Sequence, residues 1–357
     1  MFDKAEIKAS MTIEDVEQVL ELLGASFYRE HDDKLVIETI CHNDVGVGQK
    51  KLYYYTNTKL FNCYSSCGFF DIFGLIQHVY DDYSLDDAID FVANSRGFVF
   101  VNDGERPEGT VVEQDIVYKK QYANDYDPSI LDTMPLAFLK EWVEEGISKE
   151  TQMDYGVRYN ARDGAVLFPH HDERGALVGI RQRNLDPTII RLYGKYRPAT
   201  LNRKLYSSPL SFYLFGVNHN RWPLSRTKRA IVFEGEKSTM KYGQAVGKAN
   251  NNSVATFGTS FSIHHFHILK NLGVEEIVFA YDKEYTNATM EDKEFEEFAK
   301  KMTRLHKRFN KDGVTVSFMI DRDNLLEYKD APIDKGLEAF NKMFVERFTL
   351  EVKEDEV

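Results

Sequence analysis

The chain has 357 residues, 43% of them hydrophobic and 29% charged, with a formal net charge of −12. That length exceeds one small core and suits two or three domains, while the composition excludes disordered and collagenous classes. No apolar run approaches the ~20 residues that span a bilayer, and the N-terminus lacks an apolar signal core, so a cytoplasmic protein with no membrane partner is expected. Three cysteines are too few, and odd in number, for a disulfide framework. Taken as an average, −12 also speaks against nucleic acid.

Residues 1–100 read as a first domain. Val16, Leu20, Leu22 and Leu23 carry helical spacing that ends at Gly24, a C-cap signal. Leu35–Ile40 is β-branched and strand-like, and Lys51–Tyr55 and Lys59–Asn62 flank a turn, predicting a hairpin. Two helices are expected at 70–80 and 85–95, the second opened by Ser84. From Val101 to about Pro135 the periodicity fades among Gly104, Pro107, Gly109, Pro128 and Pro135, and eight acids face three bases: an acidic linker is expected at 101–135. A mixed subdomain follows at 136–228, with a helix over 136–145, an N-cap at Ser148, and strands at 166–168 and 177–180 about the turn Asp172–Gly175. From 229 to 357 strands (230–233, 253–257, 276–281, 314–320) alternate with helices (238–246, 263–272, 291–310, 335–347). Apolar, β-branched strands in that alternation predict a parallel sheet covered on both faces. The fold class expected is α+β and multidomain: a small zinc-ribbon-like β domain, a mixed basic subdomain, and an α/β domain with a central parallel sheet.

All three cysteines fall within 27 positions. Cys41-His42 and Cys63-x-x-x-Cys67 across the hairpin supply three thiolates and an imidazole, a Cys3His set suited to tetrahedral Zn²⁺ with no open position and hence a structural role. Because Cys41 and His42 are adjacent, His31 or His78 stands as an alternative fourth ligand. Tyr53, Tyr54, Tyr55, Phe61 and Tyr64, beside Lys50, Lys51 and Lys59, read either as a platform for single-stranded bases or as half core and half exposed sheet face. Between Arg181 and Ser208 seven bases (Arg181, Arg183, Arg191, Lys195, Arg197, Arg203, Lys204) stand against Asp186, a local surface for phosphates within an acidic chain. Acids then follow the expected strands: Glu234 and Glu236, Asp282 and Glu284, and Asp321, Asp323, Asp330 and Asp334. Carboxylates at the C-terminal edge of a parallel sheet converge and suit Mg²⁺ or Mn²⁺. His170-His171 read as loop residues, and His264-His265-x-His267 as packing or surface rather than ligands.

The order of strand, Cys/His pair, aromatic hairpin, Phe61-Asn62-Cys63, Cys67-Gly68 and Phe70-Asp71-Ile72-Phe73 resembles the zinc-binding domain of bacterial and phage DNA primases of the DnaG type. Phe168-Pro169, Asp172–Gly175, Gly179–Arg183 and Lys204–Pro209 resemble the primase polymerase core, and Glu234-Gly235, Asp282-x-Glu284 and Ala255–Ser260 resemble a Toprim domain. Ser238 departs from the family, which often has an aspartate there. The resemblance implies synthesis of short RNA primers on a single-stranded DNA template from ribonucleoside triphosphates, in a bacterium or phage-infected host. It implies Zn²⁺ on Cys41, His42, Cys63 and Cys67, and Mg²⁺ or Mn²⁺ on Glu234, Asp282 and Glu284, with Asp330 or Asp334 completing the catalytic set. It also implies phosphate contacts from Arg181, Arg183, Arg203 and Lys204. A replicative helicase is the expected partner, although no helicase-binding domain is expected after the last helix. Rival readings are a Toprim nuclease using the same acids, or a non-catalytic single-strand-binding replication protein.

Overall fold

The computed structural model describes residues 4–31, 33–81, 83–95, 125–258 and 260–350. The chain divides into two units, 1–123 with 207–212 and 124–206 with 213–357.

In the first unit, helices α1 (Lys4–Ser10) and α2 (Ile13–Leu22) precede a five-stranded antiparallel sheet of β1 (Phe27–His31), β2 (Lys34–Ile37), β3 (Leu52–Tyr55), β4 (Leu60–Cys63) and β5 (Gly68–Phe70) in sequential order. Helices α3 (Ile72–Val79) and α4 (Leu85–Ser95) close the unit. Thr12 and Asp15 form a capping box at the start of α2. At its end Gly24, at φ +78°, lets its N–H reach Glu21 O at 2.8 Å and the N–H of Ala25 reach Leu20 O at 2.9 Å, a Schellman closure. Tyr54 and Phe61 turn inward onto the core, which Val16, Leu20, Leu35, Phe73 and Ile76 fill. Two strands of this unit went unrecognised in the sequence. β1 has four charged or polar-tipped residues in five, and β5 takes Phe70 from the expected helix, because the Asp71 carboxylate accepts from the Gly74 N–H and starts α3 at Ile72.

The second unit holds two sheets. Of the expected linker, residues 101–124 lie outside the described residues, whereas its end is packed: a 3-10 turn at Pro128–Thr133 places Leu131, Tyr126 and Met134 against Leu167, Ile180 and Tyr206. The expected helix over 136–145 is shortened to α5 (Lys140–Glu144), because Leu136 and Ala137 are drawn into extended pairing with Arg158 and Val157. After α6 (Lys149–Asp154), capped by Ser148, come β6 (Arg158–Asn160), β7 (Ala165–His171), β8 (Leu177–Asn184), α7 (Pro187–Tyr193), β9 (Tyr196–Leu201) and β10 (Lys204–Tyr206). These strands form an antiparallel sheet ordered β10-β9-β8-β7-β6. His170 and His171 belong to β7 rather than to a loop: the strand runs on through Pro169, whose missing N–H costs no bond because β6 pairs only as far as Leu167.

The chain continues as α8 (Arg221–Thr227), β11 (Arg229–Phe233), α9 (Glu236–Val246), β12 (Ser253–Ala255), α10 (Ile263–Asn271), β13 (Glu276–Phe279), α11 (Lys293–Phe309), β14 (Thr315–Phe318) and α12 (Leu337–Val345). The four strands are parallel in the order β12-β11-β13-β14. Their fully apolar segments, Ile231–Phe233, Ile277–Phe279 and Phe318, are buried, as a sheet covered on both faces requires. One core runs from Trp142 and Phe168 beside the antiparallel sheet to Phe233, Val278 and Phe340 around the parallel one. The α+β architecture with a central parallel sheet is thus as expected.

Candidate metal and phosphate sites

The first site is built by a loop and a hairpin end. The loop after β2 is held from inside by Glu38, whose buried carboxylate accepts the N–H groups of Ser26 (3.0 Å) and Gly46 (3.2 Å), and by Asn43, which donates to Thr39. Cys41 and His42 project from this loop toward Cys63 at the end of β4 and Cys67 in the turn to β5. His42 Nδ1 lies 3.3 Å from Cys41 Sγ, 3.2 Å from Cys67 Sγ and 3.7 Å from Cys63 Sγ, and all four ligand atoms fall within 4.8 Å of one another. A tetrahedron with Zn–S bonds of ~2.3 Å has edges of about 3.8 Å, so the set fits Zn²⁺. His78 instead packs tilted against Phe70 (4.8 Å), His31 ends β1, and among the described residues neither joins the donor group of His42. Burial pushes the Cys63 thiol up, but N–H groups of Cys67, Ser66 and Ser65 outweigh it and bring the thiol down to about 6, favouring the thiolate a metal takes.

The aromatic hairpin is divided as its strand period dictates. Tyr54 and Phe61 are core, while Tyr53, Tyr55 and Tyr64 share the outer face, with Tyr53 and Tyr64 edge to face at 5.2 Å and the Tyr55 and Tyr64 hydroxyls 3.1 Å apart. Exposed Phe69 and Tyr28 extend that face, and Lys34 and Lys50 lie over Tyr53 and Tyr28. Lys59 points elsewhere, donating to the carbonyls of Ala9 and Met11.

The second site lies at the C-terminal edge of the parallel sheet. Glu234 follows β11, and the N–H of Gly258, past the end of β12, fixes its carbonyl at 2.9 Å. Asp282 and Glu284 follow β13, where the Lys283 N–H donates to Asp330 O (2.9 Å) and Lys283 O accepts from the Lys329 N–H (2.7 Å). Burial, with Asp282 and Glu284 nearby, pushes the Glu234 carboxyl up to about 7. Burial, with Asp334 and Glu284 nearby, pushes Asp282 up to about 6. Four acids from three segments therefore act on one another, and a divalent cation bound there would relieve their repulsion. Of the two candidates for the last acid, Asp334 is the one whose charge acts on Asp282, and its carboxylate accepts the Ala331 N–H at 3.0 Å. Asp330 turns its carboxylate to the Glu327 N–H (2.9 Å) and to Lys335 (3.2 Å). Ser238 occupies a buried position on α9.

The sequence reading missed the cations of this site. Lys301 on α11 places Nζ 3.7 Å from Glu234 and over the Tyr281 ring, Lys329 pairs with Glu284, and Lys241 and Lys237 reach Asp334 at 3.3 and 3.6 Å. Only the i,i+4 spacing of Lys237 and Lys241 carried a sequence signal. Buried Lys283 was missed as well: it turns away from both flanking acids to Asp321 at 2.9 Å.

Of the bases, Arg181 and Arg183 alternate on one face of β8. Arg183 is buried, bonded to Glu141 at 2.8 Å and lying over Trp142. Arg181 meets Glu236 at 3.1 Å; burial works against the Glu236 carboxylate, but Arg181 and His170 overcome it and hold the group down at about 2. Arg203 and Lys204 are apart from these, at the edge hairpin, Arg203 in the turn at φ +64° and Lys204 over Tyr126 and Tyr206. His265 is buried as a capping residue with Ser262, in keeping with a packing role. No helix among the described residues is long and apolar enough to cross a membrane.

No family profile matches the chain. An SPbeta prophage-derived uncharacterized protein of Bacillus subtilis (strain 168), YorJ, is 31% identical over 381 residues, covering 99% of each protein. The chain belongs to the family of that prophage protein. DNA primases are also relatives: that of Chlamydia pneumoniae is 25% identical over 173 residues, 46% of this chain and 28% of the primase. That of Deinococcus radiodurans is 23% identical over 265 residues, 64% of this chain and 44% of the primase. The chain thus spans less than half the length of these primases. Among solved structures, the zinc-binding and RNA polymerase domains of Aquifex aeolicus primase align over 97% of this chain and 85% of that one, at 16% identity and a TM-score of 0.46. The DnaG-type resemblance read from the motifs is therefore matched by relatives that carry the primase name.

Proposed function

We propose that this protein is a DNA primase that makes short RNA primers on single-stranded DNA by metal-dependent nucleotidyl transfer. The observation that carries the reading is the set of acids Glu234, Asp282, Glu284 and Asp334 after the parallel strands, where burial and neighbouring acids raise Glu234 to about 7 and Asp282 to about 6. Acids so strained toward their neutral forms hold a divalent ion that takes the place of their protons. Mg²⁺ or Mn²⁺, when bound, supplies charge for the attacking 3′-hydroxyl and the departing pyrophosphate. The remaining work falls to the chain. Lys301, Lys329, Lys237 and Lys241 offset the acids and receive phosphate oxygens, and Arg181 and Arg183 hold the triphosphate or template backbone. Zn²⁺ on Cys41, His42, Cys63 and Cys67 would staple the first unit, whose outer face of Tyr28, Tyr53, Tyr55, Tyr64 and Phe69 stacks template bases. Arg203 and Lys204 extend the template path, and a replicative helicase would deliver the strand.

One observation favours a second reading. Lysine partners on Glu234, Glu284 and Asp334, with Ser238 in place of an acid, also suit a single-strand-binding protein that uses no catalytic metal. Incorporation of labelled ribonucleotides on single-stranded templates, with Mg²⁺ or Mn²⁺, separates the two. Template-dependent products that vanish in Glu234→Ala support the primase; tight DNA binding indifferent to Mg²⁺, with no incorporation, refutes it.

A further inference from the structure

Two residues after Glu234, at the first position of α9, stands a second glutamate that the metal edge does not use. An acid at a helix start is ordinarily a solvated partner of the helix dipole. Glu236 is not solvated: its side chain is 8% exposed, and its carboxylate leaves the helix for the antiparallel sheet, where Oε1 lies 3.1 Å from Arg181 Nη1 and 3.8 Å from His170 Nε2. Arg181 is clamped as well as paired. Its guanidinium sits 5.0 Å from the Tyr196 ring centroid and 5.6 Å from that of Phe257. Phe257 in turn stacks on His170 at 4.2 Å, and it holds a left-handed backbone, φ +63°, that a bulky residue adopts only under constraint. The next residue, Gly258, donates to the Glu234 carbonyl. A strained aromatic thus links the arginine to the loop that carries the principal acid of the candidate metal site. His170 is fully buried and neither ring nitrogen has a hydrogen-bond partner; the Glu236 carboxylate faces its Nε2 at 3.8 Å.

We propose that Glu236 is a positioning residue: it fixes the Arg181 guanidinium, between Tyr196 and Phe257, as a receptor for a polyphosphate chain beside Glu234. This rests on the nucleotidyl-transfer reading and adds to it a division of labour between the two glutamates, one for metal and one for arginine. Arg181 gives one N–H to Glu236, and the aromatic rings accept none in plane, so the planar fork keeps donors for phosphate oxygens with its orientation already set. The side chain is 19% exposed, which leaves that edge reachable. A lone arginine would have to be ordered by the ligand at the ligand's expense; here the ordering is done by the fold.

The test uses the full chain and inorganic tripolyphosphate, titrated calorimetrically without added divalent cation, alongside thermal unfolding. Arg181→Met should weaken tripolyphosphate by about tenfold or more, the loss of a charge-assisted pair of bonds. Glu236→Gln should weaken it nearly as much, although residue 236 carries like charge to the ligand and a purely coulombic account predicts tighter binding. Arg181→Met/Glu236→Gln should be no weaker than Arg181→Met alone, because the glutamate acts through the arginine. Should Glu236→Gln fail to fold, Glu236→Asp carries the test, with intermediate affinity expected. The proposal is overturned by unchanged or tighter binding in Glu236→Gln or Glu236→Asp, by additive losses in the double variant, or by a parent protein that does not bind tripolyphosphate. Failure of the parent to incorporate ribonucleotides, with the tripolyphosphate series as expected, would refute primer synthesis and leave the role of Glu236 standing.

Discussion

Lys283 lies between Asp282 and Glu284, yet its ammonium is buried with Asp321. Their side chains are 3% and 1% exposed, Nζ–Oδ2 is 2.9 Å, and Nζ donates further to Asn324 Oδ1 and, at 3.0 Å, to Leu326 O. Asp321 also accepts the N–H groups of Leu325 (2.9 Å) and Leu326 (2.8 Å). Replacing Lys283 by Met leaves a buried carboxylate with backbone donors alone, and removing one partner of such a pair costs about 3–5 kcal/mol. In a unit of this size that lowers the unfolding midpoint by roughly 6–20 °C. Lys283→Met/Asp321→Asn leaves neither charge uncompensated and should recover all but about 1–2 kcal/mol. Both tryptophans, Trp142 and Trp222, belong to the second unit, so urea unfolding followed by tryptophan fluorescence reads the unit that holds the pair. Burial opposes the Asp321 carboxylate, but the Leu325 and Leu326 N–H groups and Lys283 prevail and hold its pKa below the usual value. The pair's contribution is therefore complete above the unfolded carboxylate pKa, about 3.9, and is lost as pH falls through the lower folded value. A single variant costing under about 1 kcal/mol, or a double variant as unstable as the sum of its parts, would refute a buried strut.

Cys63→Ser should abolish stoichiometric zinc, measured by mass spectrometry of metal content, and should lower the thermal midpoint of the first unit while the tryptophan signal of the second is unchanged. Asp334→Asn should reduce labelled ribonucleotide incorporation by about a hundredfold, whereas Asp330→Asn should keep most of it; the reverse ranking would contradict the placement of these two carboxylates. Glu234 prefers its proton in the folded state, where burial with Asp282 and Glu284 nearby pushes it to about 7. Its contribution therefore favours folding below the unfolded pKa and turns unfavourable as pH rises through 7. Glu234→Gln should accordingly be more stable than the parent at pH 8 without divalent cation, by roughly 2–3 kcal/mol, with the gain gone near pH 4.5. For the same reason Mn²⁺ affinity, read by calorimetry, should rise from pH 5.5 to pH 8 as Glu234 and Asp282 lose their protons.

Local chemistry made much of this legible in the sequence. Short β-branched runs such as Ile231–Phe233 and Ile277–Phe279 announce buried parallel strands, because a sheet covered on both faces admits little else. Capping followed the same logic, with Ser148 starting α6 and Gly24 ending α2 as their side chains, or lack of one, require. Three cysteines and a histidine in one window announce a tetrahedral donor set, because that chemistry resides in residue type and spacing. β1 stayed hidden because its residues, Phe-Tyr-Arg-Glu-His, form an exposed edge whose apolar alternation is broken. Residues 169–171 misled for the opposite reason, since a proline and two histidines imitate a loop while pairing with β8 keeps them in strand.

By itself the sequence determined the strand–helix alternation of the parallel-sheet region and the zinc-type donor set. Net charge hides the distribution of charge, because −12 averages unlike segments, among them a run from Arg181 to Lys204 with seven bases and one acid. Only the tertiary structure decided which charges meet. A lysine flanked by acids reads as a solvated ion, yet Lys283 is buried against a residue 38 positions away, and Arg181 meets a glutamate 55 positions away. Asp330 and Asp334 are alike in sequence and differ only in what the fold turns toward each. Residue type fixes what a side chain can bind, but pair energies depend on distance and on water excluded, and both are set by segments that meet only on folding.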